Sequence, residues 1–209
     1  MKTASAKENI LSKIKQALAK PVPVPFSQSG EAAENIYNQP TQENEIEFAE
    51  NFTALQGKFS FCANLEELKA QLQQLAEARK WQNIYCREDA LKQIFTAINF
   101  SANLHTCDAA ITLCENLIAR TGSIVLSSAQ QSGRTVSVYA PVHICVAYTS
   151  QLVYDVKDAL QNITVKYTSL PSLFTLATGP SRTADIEKTL VVGVHGPKEV
   201  FCFLVDQSS

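Results

Sequence analysis

Long apolar runs are what this 209-residue sequence most conspicuously lacks. No stretch approaches the roughly 20 consecutive apolar residues that a membrane-spanning helix requires. Residues 1–16 carry charges throughout and contain no apolar segment of the kind that defines a secretory signal. We therefore expect a cytoplasmic protein without a membrane span.

An excess of charge of one sign is also missing. Lys and Arg number 18 against 20 Asp and Glu, which gives a net charge of −2 and a pI near 5.9. Nucleic-acid binding normally leaves a basic footprint, so the sequence argues against a nucleic-acid partner. The hydrophobic content of 45% is ordinary for a globular protein, and the length suits one sizeable domain.

Metal and cofactor signatures are absent as well. The sequence contains no C-x-x-C or H-E-x-x-H pattern, and no G-x-S-x-G, Walker or G-x-G-x-x-G motif. Iron–sulfur clusters need clustered thiolates, which this spacing does not provide. We predict no bound metal and no cofactor, and we expect the cysteines to be reduced and buried. They are Cys62, Cys86, Cys107, Cys114, Cys145 and Cys202.

The N-terminal segment has the pattern of an amphipathic helix on a tether. Ser5 and Glu8 form a capping box ahead of a 3-4-4 apolar spacing, and the proline-rich run 21–26 ends the helix. Residues 27–45 are polar and read as a linker. We therefore predict an arm over 1–26, a linker over 27–45 and one domain over 46–209. The arm either folds back on that domain or docks on a partner, which leaves a homo-oligomer open. Its apolar stripe is Ile10, Leu11, Ile14 and Leu18.

Helix and strand patterns alternate in the first part of the predicted domain. Helical spacing over 45–56 is followed by a strand at 58–62, and Asn64 with Glu67 then begins a leucine-faced helix. A strand at 83–86 and a further helix over 91–98 follow. Such alternation predicts βαβ units, and hence an α/β fold with a layered, mostly parallel sheet flanked by helices.

After His105 the pattern changes to short apolar runs with tight turns between them. Strands joined this closely must be antiparallel neighbours or a bend in the chain, because a parallel pair needs a long crossover. The apolar run 142–148 predicts a central strand buried on both faces, and a last strand ends the chain. We expect seven or eight strands and five or six helices. A helical stripe is predicted from Val153, Val156, Leu160 and Ile163.

Two turns, Gly179-Pro180 and Gly196-Pro197, bracket a polar segment near the C-terminus. The hydroxyl, guanidinium and backbone donors of residues 181–183 suit a carboxylate or phosphate. Alternatively, Arg182 pairs with Asp185 and the glycines only turn corners. His195 is either a general acid or base, or a group that pins the loop.

The turn 121–123 is a second candidate, either an anion-binding nest or a plain turn between strands. No catalytic residue is identified. The candidate ligand-binding residues are Thr121, Gly122, Ser123, Gly179, Pro180, Ser181, Arg182, Thr183, Asp185, Glu187, His195 and Gly196.

Several strings resemble those of the lactate-utilisation (LUD-domain) proteins, particularly the C-type subunit. The longest is GPSRTADIEKTLVVGVHGPKEV at 179–200, which has the family's GPS, basic residue, TADIE and G-x-HGP elements. LIARTGSIVL at 117–126 and APVHICVAY at 140–148 match two further family segments. The opening helix ILSKIKQAL at 10–18 is also similar to that of the family.

The resemblance carries its own implications. It implies a fold like that of the glucosamine-phosphate isomerase, ribose-phosphate isomerase and CoA-transferase superfamily, with the ligand over the carboxyl ends of the parallel strands. It implies a non-redox subunit of an L-lactate-oxidising system that binds an anionic small molecule and works with iron–sulfur subunits. The alternative is a stand-alone enzyme or sensor for a phosphorylated or CoA-linked metabolite.

Overall fold

The computed structural model of the protein describes residues 6–19, 40, 42–183 and 191–207. The chain separates into two compact units, Met1–Gln39 and Pro40–Ser209. The first contains helix α1 (Ala6–Leu18), as the apolar spacing predicts. The described apolar side chains of α1 are about half exposed. The proline-rich run and most of the predicted linker lie outside the described residues, so the domain boundaries stay predictions.

The second unit alternates helices and strands as expected. Its first half contains α2 (Asn44–Ala54), β1 (Lys58–Cys62), α3 (Leu65–Arg79), β2 (Ile84–Cys86), α4 (Asp89–Ile94), β3 (Ala109–Thr112), β4 (Asn116–Ile118) and β5 (Ser123–Ser127). Its second half contains α5 (Val136–Tyr139), β6 (Val142–Tyr148), β7 (Leu152–Val153), α6 (Val156–Lys166), β8 (Phe174–Ala177), β9 (Arg182–Thr183), β10 (Val191–Val192) and β11 (Glu199–Val205).

The predicted start of α3 is confirmed. The Asn64 side chain accepts a hydrogen bond from the Glu67 backbone N–H at 2.9 Å, and the Glu67 carboxylate accepts one from the Ala63 N–H at 2.8 Å. The first bond satisfies a backbone donor that an α-helix leaves open in its first turn, and the second ties the residue before the cap to that turn. The prediction for Val153 is wrong, because it lies in strand β7 and the helix begins at Val156.

Five strands form a parallel sheet in the order β1-β11-β6-β3-β2. The two longest strands, β11 and β6, are paired in register from Glu199 opposite Val142 to Val205 opposite Tyr148. Strand β6 is buried along nearly its whole length, which confirms the predicted central strand. Helices α3 and α4 cover one face of the sheet through Leu68, Leu72 and Leu91. Helix α2 packs on the other face through Phe48 and Phe52.

A second sheet has the order β7-β4-β5-β8. Strands β4 and β5 form the predicted antiparallel pair, and β8 pairs antiparallel with β5. The expected count of seven or eight strands is wrong, since the described residues form eleven strands in three sheets. Strands β3, β4 and β5 are buried on both faces, so their sequences show no alternation that could assign them to different sheets.

All six cysteines are unpaired and buried, as predicted. Burial raises the pKa of the Cys62 and Cys86 thiols to about 11, so both carry their proton at neutral pH. None of the helices in the described part of the chain has the length and apolar character needed to cross a membrane.

Candidate functional site

The two halves of the C-terminal signature come together at the amino ends of the parallel strands. The Ser181 N–H donates to the Pro197 carbonyl at 2.9 Å, and the Gly193 N–H donates to the Ser181 carbonyl at 2.9 Å. The Lys198 N–H donates to the Pro141 carbonyl at 2.8 Å. Because Pro197 precedes β11 and Pro141 precedes β6, this loop cluster lies at the amino edge of the sheet.

The expectation that these loops lie over the carboxyl ends of the parallel strands is therefore wrong. The reason is the second sheet, which the sequence did not reveal. Strand β8 pairs antiparallel with β5, with Ala177 opposite Ile124. The chain leaves β8 beside the start of β5 and passes Leu55 and Gly57, which precede β1.

The loops at 121–123 and 179–182 do lie near one another, and both contact helix α2 or its end. A Cβ atom on Gly122 would lie 2.5 Å from the Phe52 backbone nitrogen. One on Gly179 would lie 2.4 Å from the Leu55 carbonyl oxygen. Glycine is therefore required at both positions by the left-handed φ, +59° and +93°, and by the close approach of the backbone of α2 or of its cap.

The turn 121–123 joins β4 to β5, and its polar groups are already used. The Thr121 and Ser123 hydroxyls lie 2.7 Å apart and bond each other, and Ser123 is buried. The Asn51 side-chain amide of α2 donates to the Ala119 carbonyl at 2.9 Å. These contacts favour the plain turn between strands over an anion-binding nest.

Arg182 has a partner inside the chain. Its guanidinium donates to the carbonyl of Leu55, the residue that caps the C-terminal end of α2. A cation at that end interacts favourably with the helix dipole. Asp185 and Glu187 lie outside the described residues, so the alternative pairing of Arg182 with Asp185 stays a prediction. Thr183 pairs with Val191 in the antiparallel pair of strands β9 and β10.

A cleft of about 440 Å³ opens at the amino edge, lined by residues 138–141, 193–196 and 198. It brings together His195 and Gly196 of the candidate set with Lys198, which sequence reasoning missed. The sequence signal that could have identified Lys198 was its position directly after the Gly196-Pro197 turn. None of these lining residues is acidic. Gly196 packs against Ser181, where an added Cβ would lie 2.8 Å from the serine Cβ.

A cavity of about 530 Å³ at the other edge of the sheet has the opposite character. It lies at the carboxyl ends of β1, β6 and β11, and its lining includes Glu66 and Asp206. These carboxylates oppose the approach of an anion, that of Glu66 less strongly because Lys69 pairs with it at 2.8 Å. Electrostatics therefore favour the amino edge for an anionic ligand.

Sequence reasoning also missed a buried carboxylate. Glu115 follows β3 and accepts hydrogen bonds from the Lys166 ammonium at 2.7 Å, the Tyr167 hydroxyl at 2.7 Å and the Ser127 hydroxyl at 2.5 Å. Burial alone would raise the pKa of Glu115, but these bonds hold it below its usual 4.5. Glu115 is consequently a fixed anion and is poorly suited to donate a proton near neutral pH.

The two other histidines have contacts that suit a structural role. His143 is fully buried in β6, with its Nε2 atom 2.8 Å from the Thr112 hydroxyl. Burial lowers the pKa of His143 to about 4, so its ring is neutral at pH 7, as expected of a core histidine. The His105 ring packs edge-on against Tyr139 at 5.8 Å. Within 6–19, 42–183 and 191–207, no group of three His, Cys, Asp or Glu side chains is arranged to hold a metal ion.

Curated relatives align with less than half of their own length. An uncharacterized protein of Neisseria meningitidis is 37% identical over 93 residues, covering 44% of this chain and 40% of the relative. A lactate utilization protein C of Halalkalibacterium halodurans is 38% identical over 101 residues, covering 47% and 44%. One of Bacillus subtilis is 36% identical over 101 residues, covering 47% and 42%.

A solved structure and a domain family also match. The fold is similar to the crystal structure of a DUF162 family protein from Deinococcus radiodurans, with a TM-score of 0.56 and 21% sequence identity. That match covers 79% of this chain and 99% of the other. Residues 87–205, more than half of the chain, match the LUD domain, and this segment contains both signature loops and the cleft. The chain therefore belongs to the LUD domain family.

Proposed function

We propose that this chain is a non-redox subunit of an L-lactate utilisation system that oxidises lactate to pyruvate. In this role it works with iron–sulfur partner proteins and binds an anionic small molecule at the amino-edge cleft. His195 and Gly196 contact the ligand, while Gly179, Ser181 and Arg182 hold the loop that supports them.

The observation that carries the proposal is that the C-terminal signature and a distant segment together form one cleft. Residues far apart in sequence, at 138–141 and 193–198, line one cleft, and the described residues that line it include a lysine and a histidine but no carboxylate. Relatives that share this segment are named lactate utilization protein C. The six buried cysteines support a division of labour in which partners carry the electrons, because cluster ligation needs accessible thiolates.

Deletion of the gene tests the role, with growth on L-lactate as the carbon source and growth on glucose as the control. We expect a growth defect on lactate alone, restored by the wild-type chain. Affinity purification of the tagged chain from lactate-grown cells should recover cysteine-rich iron–sulfur proteins. Unimpaired growth on lactate together with no such partner would refute the proposal.

A second candidate is a stand-alone enzyme or sensor for a phosphorylated or CoA-linked metabolite. The observation that favours it is the size of the cleft, which falls in the range of about 300–1,000 Å³ typical of small-molecule and cofactor sites. We also propose that the fold is related to the isomerase and CoA-transferase superfamily. Turnover of a CoA ester or sugar phosphate by the purified chain alone would select this candidate.

A further inference from the structure

We propose that the amino-edge cleft takes an organic monocarboxylate with an apolar body, and that Lys198 is its charged anchor. This inference rests on the proposed function in one respect only, that the ligand is an anion. Lys198 and the adjoining backbone at 194–196 would hold the carboxylate. The exposed side chains of Val138, Tyr139 and Val194 would cover the apolar part.

Contacts within the protein fix the backbone that frames the cleft. Gly193 has a φ of +78°, a conformation that residues with a side chain rarely adopt. An added Cβ there would lie 2.3 Å from the Lys198 Cγ, so the lysine stem packs directly over this glycine. The Lys198 N–H is bonded to Pro141, which ties the residue to the start of β6. A fixed frame reduces the entropy lost on binding.

Among the described residues, no acidic side chain compensates the charge in the cleft. Elsewhere at this edge the cations are paired, since Lys58 and Arg79 both contact the Glu199 carboxylate. In the part of the chain that the structure describes, the Lys198 ammonium has no hydrogen bond or ion pair. Within the same residues, the backbone N–H groups of Val194, His195 and Gly196 donate to no protein acceptor. Successive free N–H groups beside a cation are suited to an oxyanion.

The walls of the cleft are apolar and open to water. Val138 is 38% exposed, Tyr139 61% and Val194 45%, and all three line the same cleft. A ligand that covers them removes apolar surface from water at about 25 cal/mol per Å². One lysine beside an apolar wall suits a single carboxylate attached to a hydrocarbon body, whereas a polyphosphate would need several cations.

Calorimetric titration of the full chain with matched probes tests this. Phenyllactate has both parts of the expected ligand, L-lactate has the head without the ring, and phenethylamine has the ring with a cation in place of the carboxylate. We expect phenyllactate to bind about tenfold tighter than lactate, because its ring covers the apolar wall. Phenethylamine should not bind. Inorganic phosphate should bind more weakly than phenyllactate.

Variants locate the site. Lys198→Gln keeps the packing stem and should weaken phenyllactate binding about tenfold, the lower end for a charge-assisted hydrogen bond. Lys157→Gln makes the same charge change at an exposed position on α6 outside the cleft, and it should leave the affinity unchanged. Val194→Asp places a carboxylate in the exposed wall and should abolish binding with an unchanged melting temperature.

Three results would each overturn the inference. They are no binding of phenyllactate to the wild-type chain, equal losses in the two lysine variants, and unchanged binding in a folded Val194→Asp chain. None of these bears on the role in lactate utilisation, which is decided by growth and co-purification.

Discussion

Gly122 and Gly133 have nearly the same backbone conformation, with φ of +59° and +63°, but different surroundings. An added Cβ at Gly122 would meet the α2 backbone at 2.5 Å, whereas at Gly133 nothing lies within 4 Å. We expect Gly133→Ala to cost about 1 kcal/mol, the penalty of the left-handed conformation. Gly122→Ala should cost at least about 2 kcal/mol more, because α2 must move. Urea denaturation of both variants measures the difference, and equal losses would contradict the packing role of Gly122.

Arg182 offers a test between architecture and ligand binding. Because its guanidinium bonds the Leu55 carbonyl at the end of α2, Arg182→Ala should lower the free energy of unfolding by about 1 kcal/mol. Arg182→Lys keeps the charge and should recover part of that loss. Melting temperature and phenyllactate affinity are measured on the same variants. A chain with unchanged stability and lost affinity would show that Arg182 belongs to the ligand site instead.

His143 makes the stability depend on pH. Burial lowers its pKa from 6.5 to about 4, so between these values the unfolded chain takes up a proton at His143 and the native chain does not. Stability from this group is complete above pH 6.5 and falls as the pH drops toward 4. Between about pH 7 and pH 5 we expect a loss of about 2 kcal/mol that His143→Gln removes. An equal loss in the variant would contradict this.

Glu115 makes the stability depend on pH over a lower range than His143 does. Its folded-state pKa lies below 4.5 through the bonds from Lys166, Tyr167 and Ser127, so its contribution is present above pH 4.5 and is lost below it. The two groups are therefore separable in one denaturation series. The apolar run around His143 indicated a core histidine, but the bonding partners of both residues depend on distant segments.

Among the elements, α1 makes the clearest prediction. Ile10, Leu11 and Ile14 are 47–59% exposed in the described helix, which is unusual for an apolar stripe of this regularity. We propose that α1 docks on another subunit or chain. Deleting residues 1–25 should leave the remaining domain folded and weaken association, as measured by light scattering and by partner co-purification.

Point variants refine that experiment. Ile14→Asp puts a charge in the apolar stripe, while Ser12→Asp makes the same change beside it on α1, so only Ile14→Asp should weaken association. If the deletion leaves both oligomeric state and partner affinity unchanged, α1 does not dock in trans.

Elements whose signals are local could be predicted from the sequence. Helix α3 begins at Leu65 because Asn64 caps it, and β6 was identified by its unbroken apolar run. The site was predicted less well. His195 and Gly196 lie directly before β11, so their position at the amino edge follows from the parallel direction of that strand, whereas the loop at 179–182 reaches this edge through the β5–β8 pairing. That pairing joins segments about fifty residues apart and leaves no local signal.

At the scale of the whole molecule, the two family strings at 117–126 and 179–200 support helix α2 as well as forming part of the surface. Gly122 of the first string and Gly179 of the second both approach the α2 backbone, and Arg182 bonds its last carbonyl. In the described part of these strings, the groups that remain free to meet a ligand are the backbone N–H groups at 194–196 and the Lys198 side chain. A match to a family motif therefore does not by itself show whether a residue supports the fold or contacts a ligand.

Burial of the cysteines yields the last prediction. All six lie in the core, and at Cys62 and Cys86 burial raises the thiol pKa to about 11, so the reactive thiolate is scarce at neutral pH. The native chain should therefore react slowly with a thiol reagent and yield all six thiols only in guanidinium.

Because the six thiols are buried, the purified chain should also be colourless, and anaerobic reconstitution with iron and sulfide should give no stoichiometric cluster. Visible absorption and iron content measure this, with a cysteine-rich partner as the positive control. A stable cluster at one per chain would require the core to open, and it would contradict the non-redox role.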